Sequence, residues 1–233
     1  MTDTYKPRFL TGDASSPLRV FNSIMMRIAE PNYNALIDKA LKLEVLDNIS
    51  IVDISDRCQT KDTEMMFPIG NAIIKGIRRC NEKDPQIDIY SNLFIDMTNK
   101  WSGCQGRVLM RNVNTELGTL ISEYASEIGA DKGAALENSL KMYSVMKFLC
   151  NIYSKGKIPS LYIMKVMESF CKDDEVNFSI FIRLLSNSID TLKNDAFFKA
   201  KLEKKYRAFI AAVLEKGCTG ANRFTVQCIL EKW

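Results

Sequence analysis

The side chains able to do chemistry in this 233-residue chain are unevenly supplied: seven cysteines and 32 lysines and arginines, but no histidine. Without imidazole, the commonest general base, the commonest zinc ligand and every Ser-His or Cys-His nucleophile pair are missing. Catalysis would rest on carboxylates or lysine alone. No two acids are placed to share an apolar pocket, and Asp173, Asp174 and Glu175 read instead as the cap of a following helix. The cysteines (Cys58, Cys80, Cys104, Cys150, Cys171, Cys218 and Cys228) are scattered, with no C-x-x-C pair. An odd count among apolar neighbours reads as free thiols in a reducing compartment rather than a zinc or disulfide framework. "IGADKGAALEN" (128–138) holds glycines and a lysine, yet lacks the G-x-x-x-x-G-K-[ST] spacing of a phosphate loop. "GNAIIKGIRR" (70–79) also has the wrong spacing, and Gly70 and Gly76 read as points of close helix packing. The expectation is no catalytic residue, metal, cofactor or small-molecule substrate.

Basic residues are the remaining chemistry. The net charge of +4 permits a nucleic-acid partner without demanding one. Between 193 and 233 stand nine basic residues against four acidic ones, a balance of +5, so the rest of the chain is near neutral. Lys201, Lys204 and Lys205 flank the apolar positions Leu202 and Tyr206 and must project outward, where they are the candidates for RNA phosphates. A solvated helix face is the competing reading. The aromatics nearby, Phe197, Phe198, Tyr206 and Phe209, read as core rather than as base-stacking platforms.

The elements that must position these residues are helical. Tyr33, Leu36, Ile37, Ala40 and Leu41 fall at i, i+3, i+4, i+7 and i+8. Leu202, Tyr206, Phe209, Ile210, Val213 and Leu214 form a second such stripe. Ile163, Val166, Met167 and Phe170 form a third, and Val226, Ile229, Leu230 and Trp233 a fourth. Period-two alternation is rare, so no large sheet is expected. A turn-rich leader occupies 1–16. Stop signals at 29–32, 46–48, 59–62, 81–85, 102–106, 129–133, 154–160, 172–175, 193–195 and 216–220 then divide the chain. The resulting pairs, 17–45, 48–81, 86–153, 158–193 and 195–233, lie near the roughly 40–47-residue period of HEAT hairpins, with the third longer. Short loops make neighbouring helices antiparallel. The fold class is therefore all-α: an α-solenoid of about five antiparallel HEAT-type hairpins in one domain over 17–233. The helix at about 135–153, apolar nearly all round, belongs at its centre. The longest apolar runs are too short to span a bilayer, so no membrane partner is expected.

Over 17–233 the chain resembles the middle domain of eukaryotic translation initiation factor 4 gamma, a five-pair HEAT domain also carried by small stand-alone proteins. "IMMRIAEPNYNAL" (24–36) is similar to L-N-K-L-T-P-E-x-F-x-x-L, and "KFLCNIY" (147–153) to K-F-I-G-E-L-F. "IRLLSNSIDTL" (182–192) resembles C-K-L-L-T-T-I-G-K-x-L. "NRFTVQCILEKW" (222–233) resembles the closing I-R-F-M-L-Q-D motif. The chain departs at Cys150 and Asn151 (Gly-Glu in the family), Ala221 (Arg), Cys228 (Asp) and Met26 (Asn).

The resemblance implies a non-catalytic adaptor in messenger RNA translation or metabolism, cytoplasmic and with the nucleus also open. Its implied partner is a DEAD-box RNA helicase of the initiation factor 4A type. The first hairpins would touch one helicase lobe and the last hairpin the other, biasing the lobes toward a productive arrangement. The matched positions are Arg27, Asn32 and Asn34 at the first turn and Arg207, Lys216 and Arg223 at the last. Loss of the family's polar residues favours a second reading, a peptide-docking module that bridges other messenger RNA proteins without a helicase. Direct RNA binding through the basic C-terminal pair is a third.

Overall fold

The computed structural model describes residues 17–41, 66–101, 104–130 and 132–233. The expected leader and the expected stops at 46–48 and 59–62 lie outside the described residues. Among the described residues the chain is all-helical, with no strand. The α-helices are Pro17–Arg27 (α1), Tyr33–Leu41 (α2), Met66–Ile77 (α3), Gln86–Lys100 (α4) and Cys104–Ala130 (α5). They continue with Lys132–Ser154 (α6), Ser160–Phe170 (α7), Glu175–Leu192 (α8), Glu203–Lys216 (α9) and Gly220–Lys232 (α10). A 3-10 turn, Glu30–Asn32, leads into α2, and a π turn, Phe198–Leu202, leads into α9.

Local chemistry sets these limits. The Asp174 carboxylate accepts the Asn177 N–H (2.9 Å) at the start of α8. Asp195 does the same for the Phe198 N–H (2.9 Å). Gly217 follows α9 at φ +96°, a backbone conformation that a side chain would oppose. The expected third pair, 86–153, is instead three helices, α4, α5 and α6. One helix ends at Lys100 and the next begins at Cys104, so this stretch is no simple hairpin.

Where the sequence reading expects one domain, the chain divides into two compact units. The first takes residues up to Gly76 together with Asn92–Thr115, and the second takes Ile77–Ser91 and Glu116–Trp233. In the first unit Phe21, Ile24, Ile37, Ile73, Phe94 and Leu109 are buried. Tyr33 donates to Asp96 Oδ2 at 2.6 Å, tying α2 to the end of α4. Gly70 packs so closely that a Cβ there would stand 1.9 Å from Asn112 Oδ1, as its reading as a close-packing glycine anticipates.

The second unit is built around α6 and α8. Tyr143, Val145, Met146, Phe148, Leu149 and Ile152 are all buried, so the second half of α6 is covered nearly all round, leaving only Lys147, Asn151 and Ser154 toward solvent. Phe178, Phe181 and Leu185 bury much of α8 in the same way. The contacts between elements follow a regular order. Tyr143 and Ser179 share a hydrogen bond (2.9 Å), and the Cys150 thiol points to the Leu184 carbonyl (3.8 Å). These ties, 36 and 34 residues apart in sequence, set α6 parallel to α8. Glu175 accepts from Thr219 and Asn222, and Asp190 accepts from Lys232, which sets α8 parallel to α10. Ser160 meets Asp195 and Glu168 meets Lys205, so α7 runs parallel to the segment from Asp195 into α9.

Candidate functional site

At the first turn, α1 ends on Arg27, whose guanidinium folds back on its own helix. Its Nε donates to the Ser23 carbonyl (3.1 Å) and its Nη2 to Ser23 Oγ (2.8 Å). Asn32 is consumed by the turn: Oδ1 accepts the Ala29 N–H (2.7 Å) and Nδ2 donates to the Arg27 carbonyl (2.9 Å). Its side chain shapes the connection and has little left to offer a partner. Asn34 is exposed on the first turn of α2, and Met26 is 83% exposed beside Arg27. The outward surface here is therefore Met26, Arg27 and Asn34.

The last hairpin is better defined. The α9 stripe predicted from sequence packs on α8, with Phe181 edge-on to Tyr206 (5.1 Å) and to Phe209 (5.3 Å). Burial and the neighbouring Glu168 carboxylate push the Tyr206 phenol above its ordinary range, so it stays neutral. Trp233 stacks on Phe198 (6.3 Å, 19° between planes), and the Arg207 guanidinium lies over its ring at 4.4 Å. Arg207 also bonds Glu203 Oε1 (3.2 Å) and the Trp233 carbonyl (3.4 Å). Its guanidinium is a packing element.

Charge counting along the chain overstates the basic surface. Lys193 and Lys232 share Asp190 (3.1 and 3.0 Å), holding its carboxyl below the usual range, Lys232 foremost. Lys205 pairs with Glu168 and Lys216 with Asp173. Of the nine basic residues after 192, Lys199, Lys201, Lys204 and Arg223 keep exposed side chains with no partner among the described residues. Two of the three predicted RNA-binding lysines, Lys201 and Lys204, are therefore available, whereas Lys205 is tied. Among the predicted partner-binding residues of this hairpin, only Arg223 is unengaged.

The aromatic expectation also needs correction. Phe198 and Tyr206 are fully buried, but Phe197 is 51% exposed. Neighbours in a helix point about 100° apart, and counting back from Leu202 and Tyr206 the buried stripe falls on Phe198 and misses Phe197. Leu230, expected on the buried stripe of α10, faces outward. So does Phe224, 70% exposed beside Arg223. The sequence held one signal for Phe224, which falls off the stripe formed by Val226, Ile229 and Trp233. The outer face of α10 thus presents Arg223, Phe224 and Gln227, the first two being residue types enriched at protein interfaces.

The two buried thiols, Cys80 and Cys150, are quiet. Burial pushes Cys150 well above its ordinary range, and burial with the nearby Asp84 pushes Cys80 up to about 12. Among the described residues no three cysteines or carboxylates gather as a metal set, and no helix is long and apolar enough to cross a membrane. The chain matches no family model, no curated protein and no solved structure.

Proposed function

We propose that the chain is a non-catalytic adaptor of the initiation factor 4 gamma middle-domain type, engaging a DEAD-box RNA helicase through exposed helix faces. The observation that carries this reading is the outer face of α10, where unpaired Arg223 stands beside exposed Phe224. An exposed aromatic next to an uncommitted guanidinium is suited to a protein surface, because each gains most on desolvation against a complementary partner. Stacking within the second unit supports the HEAT-type reading. Parallel helices recur there at separations of 34, 36, 37, 42 and 44 residues, of which the last two fall within the roughly 40–47-residue period of such repeats. In the first unit, Met26, Arg27 and Asn34 form a separate candidate contact.

The test is capture of a purified initiation-factor-4A-type helicase by the full chain, with and without nuclease. Wild type should bind in both conditions, and Arg223→Glu combined with Phe224→Ser should lose at least about tenfold in affinity. Arg223 is the informative arginine, since reversing Arg207 or Lys216 also breaks a contact inside the fold. Full-strength binding by the double variant would refute the α10 assignment. Binding that disappears with nuclease would point to RNA as the partner instead.

A further inference from the structure

The second unit has another exposed surface, and it is not the one on α10. On α7, Leu161 is 53% exposed and is followed one turn later by Lys165 and then by Glu168, a single outward stripe. On the neighbouring segment Phe197, Lys201 and Lys205 make a matching stripe across the π turn and into α9. The two stripes are joined at both ends. Ser160 contacts the Asp195 carboxylate at one end, and Glu168 pairs with Lys205 at the other. Because the segments run parallel, Leu161 and Phe197 lie toward the same end, with Lys165 and Lys201 following in step.

Single exposed apolar residues are ordinary. What sets this strip apart is that two of them fall toward the same end of two parallel segments that also carry several lysines. Lys165, Lys199, Lys201 and Lys204 have no side-chain partner among the described residues. Of the acids along the strip, Glu168 pairs with Lys205 and Glu203 with Arg207, whereas Asp195 is held by neutral donors, Ser160 and the Phe198 N–H, and keeps its charge. The four lysines outnumber that carboxylate, so the strip sets two apolar residues beside a net positive field, and its complement is negative with apolar anchors.

We propose that the strip between α7 and the π turn is a docking site for an acidic peptide segment of a partner protein that inserts two apolar side chains against Leu161 and Phe197. Charge complementarity selects the acidic segment, since several carboxylates can meet Lys165, Lys201 and Lys204 together. The apolar pair argues for peptide over single-stranded nucleic acid. Base stacking needs π faces, and Leu161 has none, whereas a peptide uses aliphatic and aromatic anchors alike. This surface is distinct from the α10 face and does not depend on the helicase reading.

The experiment pans a random peptide library on the full chain, then measures the synthesised, fluorescein-labelled consensus peptide by anisotropy. Selected sequences should be rich in Asp and Glu around two apolar residues. Leu161→Ser with Phe197→Ser should weaken the consensus peptide by about 30-fold, the size of a hot-spot loss. Lys165→Glu with Lys201→Glu and Lys204→Glu should weaken it at least as much and steepen no melting curve, since every changed residue is exposed. Arg223→Glu should leave the affinity unchanged, which separates this site from the α10 face. Labelled oligouridylate serves as the nucleic-acid arm. Selection of peptides without acidic excess, no selection at all, or equal binding by wild type and both variants would overturn the proposal. Tighter binding of oligouridylate, lost with Phe197→Ser but not with Leu161→Ser, would reassign the strip to nucleic acid.

Discussion

Replacing Gly106 by alanine sets two rules against each other. Gly106 lies near the start of α5, and alanine is favoured over glycine inside a helix by about 1 kcal/mol. Propensity alone therefore expects a more stable protein. A Cβ at this position, however, would stand 1.7 Å from the Trp101 carbonyl oxygen and 2.8 Å from its carbon, with the Thr98 oxygen at 3.3 Å. Comfortable non-bonded separations are roughly 3.5–4 Å, so the two backbones must part by about 2 Å. The obstacle is main chain and cannot swing aside as a side chain could. Overpacking costs typically about 1–3 kcal/mol, and a backbone obstacle belongs at the upper end. After subtracting the propensity gain, Gly106→Ala should lose about 2 kcal/mol. Gly118 in the same helix is the control, because its Cβ would meet only the Tyr162 hydroxyl at 3.6 Å, an ordinary contact. Gly118→Ala should gain about 0.5–1 kcal/mol. Urea unfolding followed by circular dichroism gives both values from the midpoint, provided the slope is unchanged. A Gly106→Ala protein as stable as Gly118→Ala would refute the close approach of Trp101.

Leu149→Ala empties space inside a helix covered nearly all round and should cost about 2–5 kcal/mol; a loss of a few tenths in the same urea assay would place α6 at the periphery. Asp190→Asn releases Lys193 and Lys232 and should cost less than about 1 kcal/mol, because the pair is solvent-exposed. The sign with pH is fixed by the depressed folded carboxyl. Its contribution is complete above the ordinary aspartate value of about 4 and drains away as pH falls through the lowered one. Melting temperatures of the two proteins should therefore converge in acid and in high salt, and a gap that widens in acid would contradict the assignment.

The helical class and much of the core were legible because burial imposes a period that survives in the sequence. Ile163, Val166, Met167 and Phe170 are buried as their spacing requires, and Asp174 caps α8 as its position suggests. The surface was less legible for two physical reasons. A running charge count adds neighbours in sequence, whereas Glu168, Asp173 and Asp190 neutralise lysines 37, 43 and 42 residues further on. The doublet Phe197–Phe198 also reads as core by residue type, whereas helical neighbours point about 100° apart and only Phe198 lies on the stripe of Leu202 and Tyr206. Asn32 was misjudged for a related reason: a polar side chain in a turn often serves its own backbone before any partner.

The placement of the two tryptophans gives the molecule a pair of built-in optical reporters. Trp101 belongs to the first compact unit, and Trp233 to the second. Trp101 is buried, while Trp233 contacts a phenyl ring and a guanidinium, so their indoles emit from different surroundings. With either one replaced by phenylalanine, fluorescence follows a single unit. Whether the chain melts in one cooperative step or two then becomes a matter of comparing two emission curves.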